Sequence, residues 1–484
     1  MTGVLSGALA APAHADTLRE ALLAAYRNNP DLNAARADLR VTDEGVAIAE
    51  AARLPNVGLT SAYNENVVQS ASGFGSPDRQ TSIGTTVSVP IYSGGRLRAS
   101  RLATEARVTA GRADLRGTES ALFSRAVAAY LDVQRDEAIV GLNAANVRIL
   151  SVNVQATSDR FEIGDLTRTD VAQSQSRLAL AQAQLQLSQA RLITSRERYL
   201  QIVGEPPVDL APPPPLPQLP AAVATAVELA LANNPDLIAA QLATDAGRAD
   251  ARVARAARLP QVSANVAAGY VNFLGSIASP SINVPINQST FTVQGGLSLS
   301  LPLFSGGLNN ARIRQAEART TATGERQIAV ERDVIAQTRS AYASLRASVA
   351  AIGSNDTAVS AATLSLEGVR AENTVGNRTV LDILNAEQEL LTAQVNLVSA
   401  RRDAYVAGFT LLAAMGLAEA EDLGLQDAGL YDPLPLPLSR TQRLFDFGRI
   451  APVAPVSTRT VDTPAQSADA APVDEEPVLR EPMR

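Results

Sequence analysis

The sequence predicts a mainly α-helical protein that also contains β-strands of membrane-spanning length and is built from two copies of one structural unit. Three observations predict this fold class: a tandem repeat, apolar residues at seven-residue spacing along long segments, and segments in which apolar and polar residues alternate. Each copy contains a helix, two strands and a long antiparallel helical hairpin. The chain of 484 residues therefore holds two hairpins and four strands.

The repeat is visible in short motifs that recur in the same order. The sequence NNPDL occurs at 28–32 and again at 233–237, and PIYSGG at 90–95 has its counterpart in PLFSGG at 302–307. The distance between the copies grows from 205 to 212 residues from the first motif to the second, which indicates an inserted loop. We expect a signal-peptide remnant at 1–15, a first repeat at 16–204, a Pro-rich linker at 205–221, a second repeat at 222–416 and a largely disordered C-terminal segment at 417–484.

The N-terminal segment reads as the end of a secretory signal peptide. It is small and apolar, and it closes with Ala13-His14-Ala15, which matches the A-x-A pattern of a cleavage site. A terminus without structure is the alternative interpretation. We expect the chain to be exported from the cytoplasm.

Helical periodicity covers 31–54, 96–160 and 166–203 of the first copy. The last two segments meet at Gly164, and Gly376 has the same place in the second copy, so both glycines are predicted hairpin turns. Residues at heptad spacing along the second arm of each hairpin predict an antiparallel coiled coil with a thin seam. They are Val171, Leu178, Leu185, Leu192 and Tyr199 in the first copy, and Ile383, Leu390, Leu397, Ala404 and Leu411 in the second.

Four segments alternate with a period of two, as half-exposed strands do. They are residues 57–68, 81–91, 262–272 and 291–303. Strands of about ten residues cross a bilayer when tilted, although one face of a soluble sheet is the alternative. Four strands do not close a barrel, and an open sheet edge is not tolerated in lipid, so membrane strands require an oligomer. A trimer supplies twelve strands.

A sharp turn from strand to helix follows each strand pair. Its sequence is Pro-x-x-Ser-Gly-Gly, in which Pro ends the alternation and the two glycines permit left-handed backbone angles. The turn residues are Pro90, Gly94 and Gly95 in the first copy and Pro302, Gly306 and Gly307 in the second.

Composition excludes most enzyme chemistry. The chain has no Cys and no Lys, and its one His, His14, lies in the predicted signal peptide. No Cys or His metal site, His-dependent triad or Lys Schiff base can be built from such a sequence. The net charge of −7 argues against a nucleic-acid partner. We therefore expect no catalytic, metal-binding or cofactor-binding residues.

Over about residues 17–416 the chain resembles the TolC family of trimeric outer-membrane channels. The resemblance is carried by the duplicated NNPDL motif, by the PIYSGG and PLFSGG turns, and by the hairpin ends IGDLTRTDV and VGNRTVLDIL. It implies a homotrimer with a twelve-stranded barrel in the outer membrane of a Gram-negative bacterium and an α-helical tunnel in the periplasm. Such channels are exit ducts in type I protein secretion or small-molecule and drug efflux. The implied partners are outer-membrane lipid, a periplasmic adaptor (membrane fusion) protein and an inner-membrane transporter of the ABC or RND type.

The resemblance also implies a gate at the hairpin ends. By their match to the family's motif, Thr169, Asp170 and Arg378 are expected at the constriction, and Asp382 is expected to face the pore. Asn385 and Asn373 stand where the family often has a second Asp and a gating Tyr. For Asp382, an exposed residue at a helix start is the alternative role.

A second function class is a soluble periplasmic coiled-coil scaffold or adaptor protein. The two strand pairs distinguish the classes, because an adaptor usually carries one hairpin and no strands of membrane-spanning length. The sequence therefore favours the channel.

Overall fold

The computed structural model describes residues 16–68, 77–277, 286–425 and 454–468. In the first repeat the elements are α1 (Leu18–Asn28), α2 (Pro30–Ala51), β1 (Asn56–Glu65), β2 (Arg79–Tyr92), α3 (Arg96–Glu162) and α4 (Arg168–Val203). In the second they are α5 (Val223–Asn233), α6 (Pro235–Ala256), β3 (Gln261–Asn272), β4 (Ser289–Ser300), α7 (Leu308–Thr374) and α8 (Val380–Ala414). The order is the same in both repeats, with one short helix before each predicted first helix. The predicted signal peptide lies outside the described residues.

The chain divides into two compact units. The first comprises the residues up to Asp38, Ala113–Ile238 and those from Val330 onward, and it contains both hairpin ends. The second comprises Leu39–Arg112 and Ala239–Ala329, and it contains the four strands. None of the described helices combines the length and the apolar character that a membrane span requires.

The NNPDL motif joins the short helices of a repeat to the end of its hairpin. The side-chain oxygen of Asn29 accepts hydrogen bonds from the backbone N–H groups of Asp31 (3.0 Å) and Leu32 (3.3 Å), and so caps α2. Its amide nitrogen donates to the carbonyl of Ile202 in the last turn of α4, at 3.0 Å. Asn234 makes the same three bonds at the start of α6 and the end of α8. The second Asn is therefore the functional residue of the motif, because it closes each repeat on itself.

The Pro-rich linker lies against α3 and α8 without forming a helix or strand of its own. The hydroxyl of Tyr405 donates to the carbonyl of Pro214 at 2.9 Å, and Gln134 donates to that of Leu210 at 3.0 Å. The hydroxyl of Tyr130 binds the carbonyl of Ala211. The linker carbonyls, which make no hydrogen bonds within a helix or sheet, thus accept hydrogen bonds from side chains of α3 and α8.

Part of the C-terminal segment has defined contacts, which the prediction of a largely disordered segment did not include. Asn33 donates to Ser457 at 2.9 Å, and the backbone N–H of Gln466 donates to Glu197 at 3.0 Å. Arg196 donates to the carbonyl of Ser467 at 2.6 Å. The contacts lie on helices of the first unit. Residues 426–453 and 469–484 lie outside the described part of the chain.

The coiled-coil seam is thinner than the heptad of large residues suggests. Along α4 the buried positions include Ser174, Ala181, Ser188 and Ser195, which are also spaced by seven. Leu192 and Tyr199 of the predicted set are buried, whereas Leu178 is only partly so. Small side chains at the contact let two helices approach closely, so they occupy the centre of the seam and the larger ones flank it.

The four strands form one antiparallel sheet in the order β1-β2-β3-β4. The predicted segments overlap all four strands, but β1 ends at Glu65 and β4 at Ser300, each three residues earlier than predicted. Pro302 has no backbone N–H, which explains why pairing does not continue along β4. In β2 pairing passes through Pro90 because the register shifts there by a bulge.

Candidate functional site at the hairpin ends and the sheet

The first hairpin end is closed by local polar contacts. Gly164 has a φ of 80°, and Arg160 forms an ion pair with Asp165 at 2.6 Å across the turn. Thr167 caps α4 together with Asp170: the backbone N–H of Thr167 donates to the Asp170 carboxylate at 2.9 Å, and the hydroxyl donates at 2.7 Å. Thr169 lies exposed in the same turn. A capping box of this kind satisfies N–H groups that a helix start leaves unpaired.

The second hairpin end repeats this geometry with different neighbours. Thr379 and Asp382 form the same capping box, with distances of 2.9 and 2.7 Å. Arg378 pairs with Glu372 of its own hairpin at 2.7 Å, and Asn373 donates to the carbonyl of Arg378 at 2.7 Å. Within the chain, therefore, Arg378 already has an acidic partner other than Asp170. Asp382 is a helix-start residue whatever other role it has.

The capping bonds set the charge of both aspartates. Hydrogen bonds from the Thr167 hydroxyl and then from its backbone N–H hold the pKa of Asp170 below its usual value. The pKa of Asp382 is lowered most by the hydrogen bond from the backbone N–H of Thr379. The hydrogen bond from the Thr379 hydroxyl and the positive charge of Arg378 lower it further. The hydrogen bond to Glu372 raises the pKa of the Arg378 guanidinium. All three groups are therefore charged at neutral pH.

Sequence reasoning missed a buried polar group close to these ends. The carboxylate of Glu387 on α8 is only 5% exposed, and it lies 3.1 Å from the guanidinium of Arg370 on α7. It also accepts a hydrogen bond from the side chain of Asn153 on α3 at 3.2 Å. One carboxylate thus joins three helices. The available signal was a Glu three residues after Leu384, on the face of α8 that the apolar pattern predicts to be buried.

Two further contacts fix the start of α8 to the first hairpin. Arg177 on α4 donates to the side-chain oxygen of Asn385 at 2.8 Å. Leu384 packs with Leu150 of α3 and Ala181 of α4 in a small buried cluster. Asn385, expected from the family pattern as a pore residue, is therefore held by a side chain of its own chain. The end of the second hairpin depends on the first for its position.

The sheet presents an apolar face and a polar face, each open to the surroundings. Paired residues keep the apolar side chains together, for example Val87 with Val266 and Ala264 with Leu297. Leu297 is 73% exposed. On the polar face the hydroxyl of Ser88 donates to Asn265 at 2.8 Å, and further Ser and Asn side chains continue the row. Within the part of the chain that the structure describes, β1 and β4 each have one edge that pairs with no other strand.

Among the described residues, no group of His, Asp and Glu side chains is arranged to hold a metal ion.

The family described as "Outer membrane efflux protein" matches this chain over residues 22–205 and 226–417. The chain is similar to the outer membrane efflux protein BepC of Brucella suis biovar 1, with 34% identity over 418 residues, 85% of this chain and 88% of that protein. It is 25% identical to the outer membrane protein TolC of Escherichia coli K12 over 87% of this chain and 86% of TolC.

Two solved structures share the fold. The Campylobacter jejuni CmeC outer membrane channel superposes with a TM-score of 0.73 at 14% identity, covering 86% of this chain and 90% of CmeC. The outer membrane protein VceC of Vibrio cholerae superposes with a TM-score of 0.70 at 22% identity, covering 82% of this chain and 96% of VceC.

We expect Glu387→Gln to loosen the start of α8. The change leaves Arg370 without its acidic partner, and because Arg370 is half exposed the loss is about 1–2 kcal/mol rather than that of a fully buried pair. Hydrogen exchange of the amides over residues 380–390 should accelerate by a factor of about 5–30. Glu389→Gln, which removes an exposed carboxylate two residues away, is the control and should change nothing. Equal exchange in both variants would contradict a holding role for Glu387.

Proposed function

The chain belongs to the outer membrane efflux protein family, and from this premise we propose that three copies close one barrel and one tunnel. It is an outer-membrane channel, an exit duct of the kind that serves efflux and type I secretion. Family membership favours this function over that of a soluble periplasmic scaffold.

The observation that carries the trimer is the open four-stranded sheet. Backbone groups on the free edges of β1 and β4 pair with no other strand among the described residues, and each unsatisfied group in hydrocarbon costs several kcal/mol. Pairing β1 of one protomer with β4 of the next removes both edges at once. Three copies then give twelve strands, the number that the family resemblance implies, and the threefold symmetry is closed.

The dimensions of the sheet suit a bilayer. The 14 residues of β2 extend for about 46 Å, which spans a hydrocarbon core of about 30 Å even at a strand tilt of about 40°. Aromatic side chains mark both ends of the apolar face, as they do in outer-membrane barrels. Tyr270 and Phe291 pair near the loop end, and Tyr92 and Phe304 lie near the helical end. The apolar face is therefore assigned to lipid and the polar face to the channel interior.

We propose that the hairpin ends form the periplasmic gate. Threefold symmetry repeats Thr169, Asp170, Asn373 and Arg378 around one axis, where contacts between neighbouring hairpins would close the mouth. Each exposed ion pair contributes only about 0–1 kcal/mol. Because Arg378 is already bound to Glu372, a contact with Asp170 of a neighbour shares or replaces an existing bond. Such a gate is weak enough for a partner protein to open.

The proposed partners rest on the family resemblance together with the proposed gate. A closed periplasmic end is useful only if a further protein opens it, and we assign that role to a periplasmic adaptor (membrane fusion) protein and an inner-membrane transporter of the ABC or RND type. The ring of three Asp382 carboxylates, with Asn385 one helical turn away, would then select passing ions by charge.

The assignment of the two faces is tested with single cysteines, because the natural chain has none. We expect a membrane-impermeant thiol reagent to label Ser88→Cys on the polar face of outer membranes that contain the protein. Val87→Cys, one residue away on the apolar face, should stay unlabelled because lipid covers it. Equal labelling of both positions would contradict a membrane-spanning sheet.

The pore role of Asp382 is tested by conductance of purified trimers in planar bilayers. Asp382→Asn should reduce the cation-to-anion permeability ratio roughly several-fold, because the substitution removes three negative charges from the narrow mouth of the channel. Asp382→Glu, which keeps the charge and changes the cap, is the control and should keep the ratio. A carboxylate loses its charge only as the pH falls through its pKa, and the capping bonds lower the pKa of Asp382. Wild-type selectivity should therefore be unchanged on mild acidification from neutral pH and be lost only as the pH falls through that lowered pKa. A ratio unaffected by Asp382→Asn would leave this residue as a helix cap alone.

A further inference from the structure

Arginines without acidic partners surround the points where the strands meet the helices of the second unit. Five of these residues are exposed and Arg96 is half-buried. They are Arg53, Arg96, Arg98, Arg258, Arg312 and Arg314, and we call them the arginine belt.

The belt lies in a stretch of sequence without acidic residues. No Asp or Glu occurs in 51–64, 80–104 or 251–316, although acidic residues outnumber basic ones in the whole chain. The acidic residues that border these ranges already have partners. Arg101 holds Glu105 at 2.8 Å and Glu50 at 3.7 Å, and Arg255 holds Glu317 at 2.8 Å. The belt side chains themselves form no ion pair with any described residue.

Helix stability does not explain the belt. The helix α3 begins with Arg96 and Arg98 and has no acidic residue in its first turn. The N-terminus of a helix carries partial positive charge, so cations there are unfavourable and an anion is favoured. The positive charge at these positions therefore does not stabilise the helix.

An exposed apolar rim precedes the four belt residues of α3 and α7 along the chain. Leu303 is 89% exposed and Phe304 is 92% exposed, and Arg312 follows them as the fifth residue of α7. On the other strand pair, Tyr92 precedes Arg96 in the same way. Apolar and aromatic surface followed directly by cations is the pattern of a membrane–water interface, where aromatic rings mark the edge of the hydrocarbon and cations reach the headgroups.

The distances agree with a headgroup layer. Arg98 lies two residues into α3, about 3 Å along its axis, which is within a polar layer of about 5–8 Å on one side of a bilayer. Arg314 lies six residues into α7, about 9 Å along its axis, and because helical side chains lean toward the N-terminus of their helix, its long side chain reaches back into that layer. A guanidinium also matches a phosphate group with two parallel hydrogen bonds, which an ammonium does not.

We propose that the arginine belt binds the phosphate groups of lipids in the periplasmic leaflet and thereby fixes the depth of the sheet in the outer membrane. The proposal rests on the proposed function, since it takes the sheet to span the membrane. The loop end of the sheet differs, because Glu65 and Asp78 accompany Arg79 there. The two membrane surfaces of the protein are thus chemically distinct.

The test compares lipid binding by two fourfold variants of the full-length trimer in detergent. The belt variant carries Arg53→Gln, Arg98→Gln, Arg312→Gln and Arg314→Gln. The control carries the same change of charge at exposed positions farther along α7, namely Arg319→Gln, Arg326→Gln, Arg332→Gln and Arg339→Gln. Native mass spectrometry during titration with phosphatidylglycerol measures the affinity.

Wild type and control should bind phosphatidylglycerol alike. The belt variant should bind about 600-fold more weakly, since each of its four lost charges contributes about fivefold near an anionic surface. If the quadruple variant does not assemble, the double variant Arg98→Gln, Arg312→Gln is measured and should lose about 25-fold. Equal binding by belt variant and control would overturn the proposal. Full displacement of the lipid by inorganic phosphate would also overturn it, because the belt would then be a site for small anions. If the wild-type chain itself is absent from outer membranes, the proposed function fails instead.

Discussion

The backbone hydrogen bonds of the sheet edges are the constraint on which the rest of the structure depends. A chain with four strands cannot satisfy both edges alone, and lipid offers no water to do so. The proposed trimer supplies the hydrogen-bond partners that these edge groups lack. Threefold symmetry then places three copies of every hairpin end around one axis, so that single charged residues become rings. The strand edges thus determine the arrangement of the gate through symmetry.

The duplicated sequence occupies two different environments. The same Asn closes both repeats, yet the long helices differ in burial along their length. Val127 of α3 is buried, whereas Arg339, at the same position of the repeat in α7, is exposed. Tyr130 is likewise fully buried, and its counterpart Tyr342 is only partly so. The two copies therefore differ in packing: this stretch of α3 is buried within the protomer, and the matching stretch of α7 is more exposed.

Much of the fold could be predicted because its signals are local. Period-two alternation located the four strands, and the paired glycines located the turns, where Gly94 has a φ of 60° that other residues rarely adopt. The candidate site was harder to predict from the sequence. The capping boxes of Asp170 and Asp382 are local, and their sequence pattern predicts them. The hydrogen bonds from Asn153 to Glu387 and from Arg177 to Asn385, in contrast, join residues more than 200 positions apart. Such contacts depend on the rotation of each helix about its axis, which no spacing within one helix determines. The contacts of residues 454–468 escaped prediction for a different reason, because the composition of this segment is that of an unstructured tail.

Disulfide formation between β1 and β4 tests the central claim most directly. The chain has no natural cysteine, so Thr60→Cys in β1 can be combined with Ser298→Cys in β4, and the neighbours Gly58, Ala62 and Gly296 sample adjacent registers. Thr86→Cys with Ala267→Cys, which are paired within the chain, is the control and should give a band of one chain after oxidation. A closed twelve-stranded barrel predicts that at least one β1–β4 pair gives a covalent band of three chains. Bands of one chain for every β1–β4 pair, or a covalent band of two chains only, would contradict the closure of the barrel by three protomers.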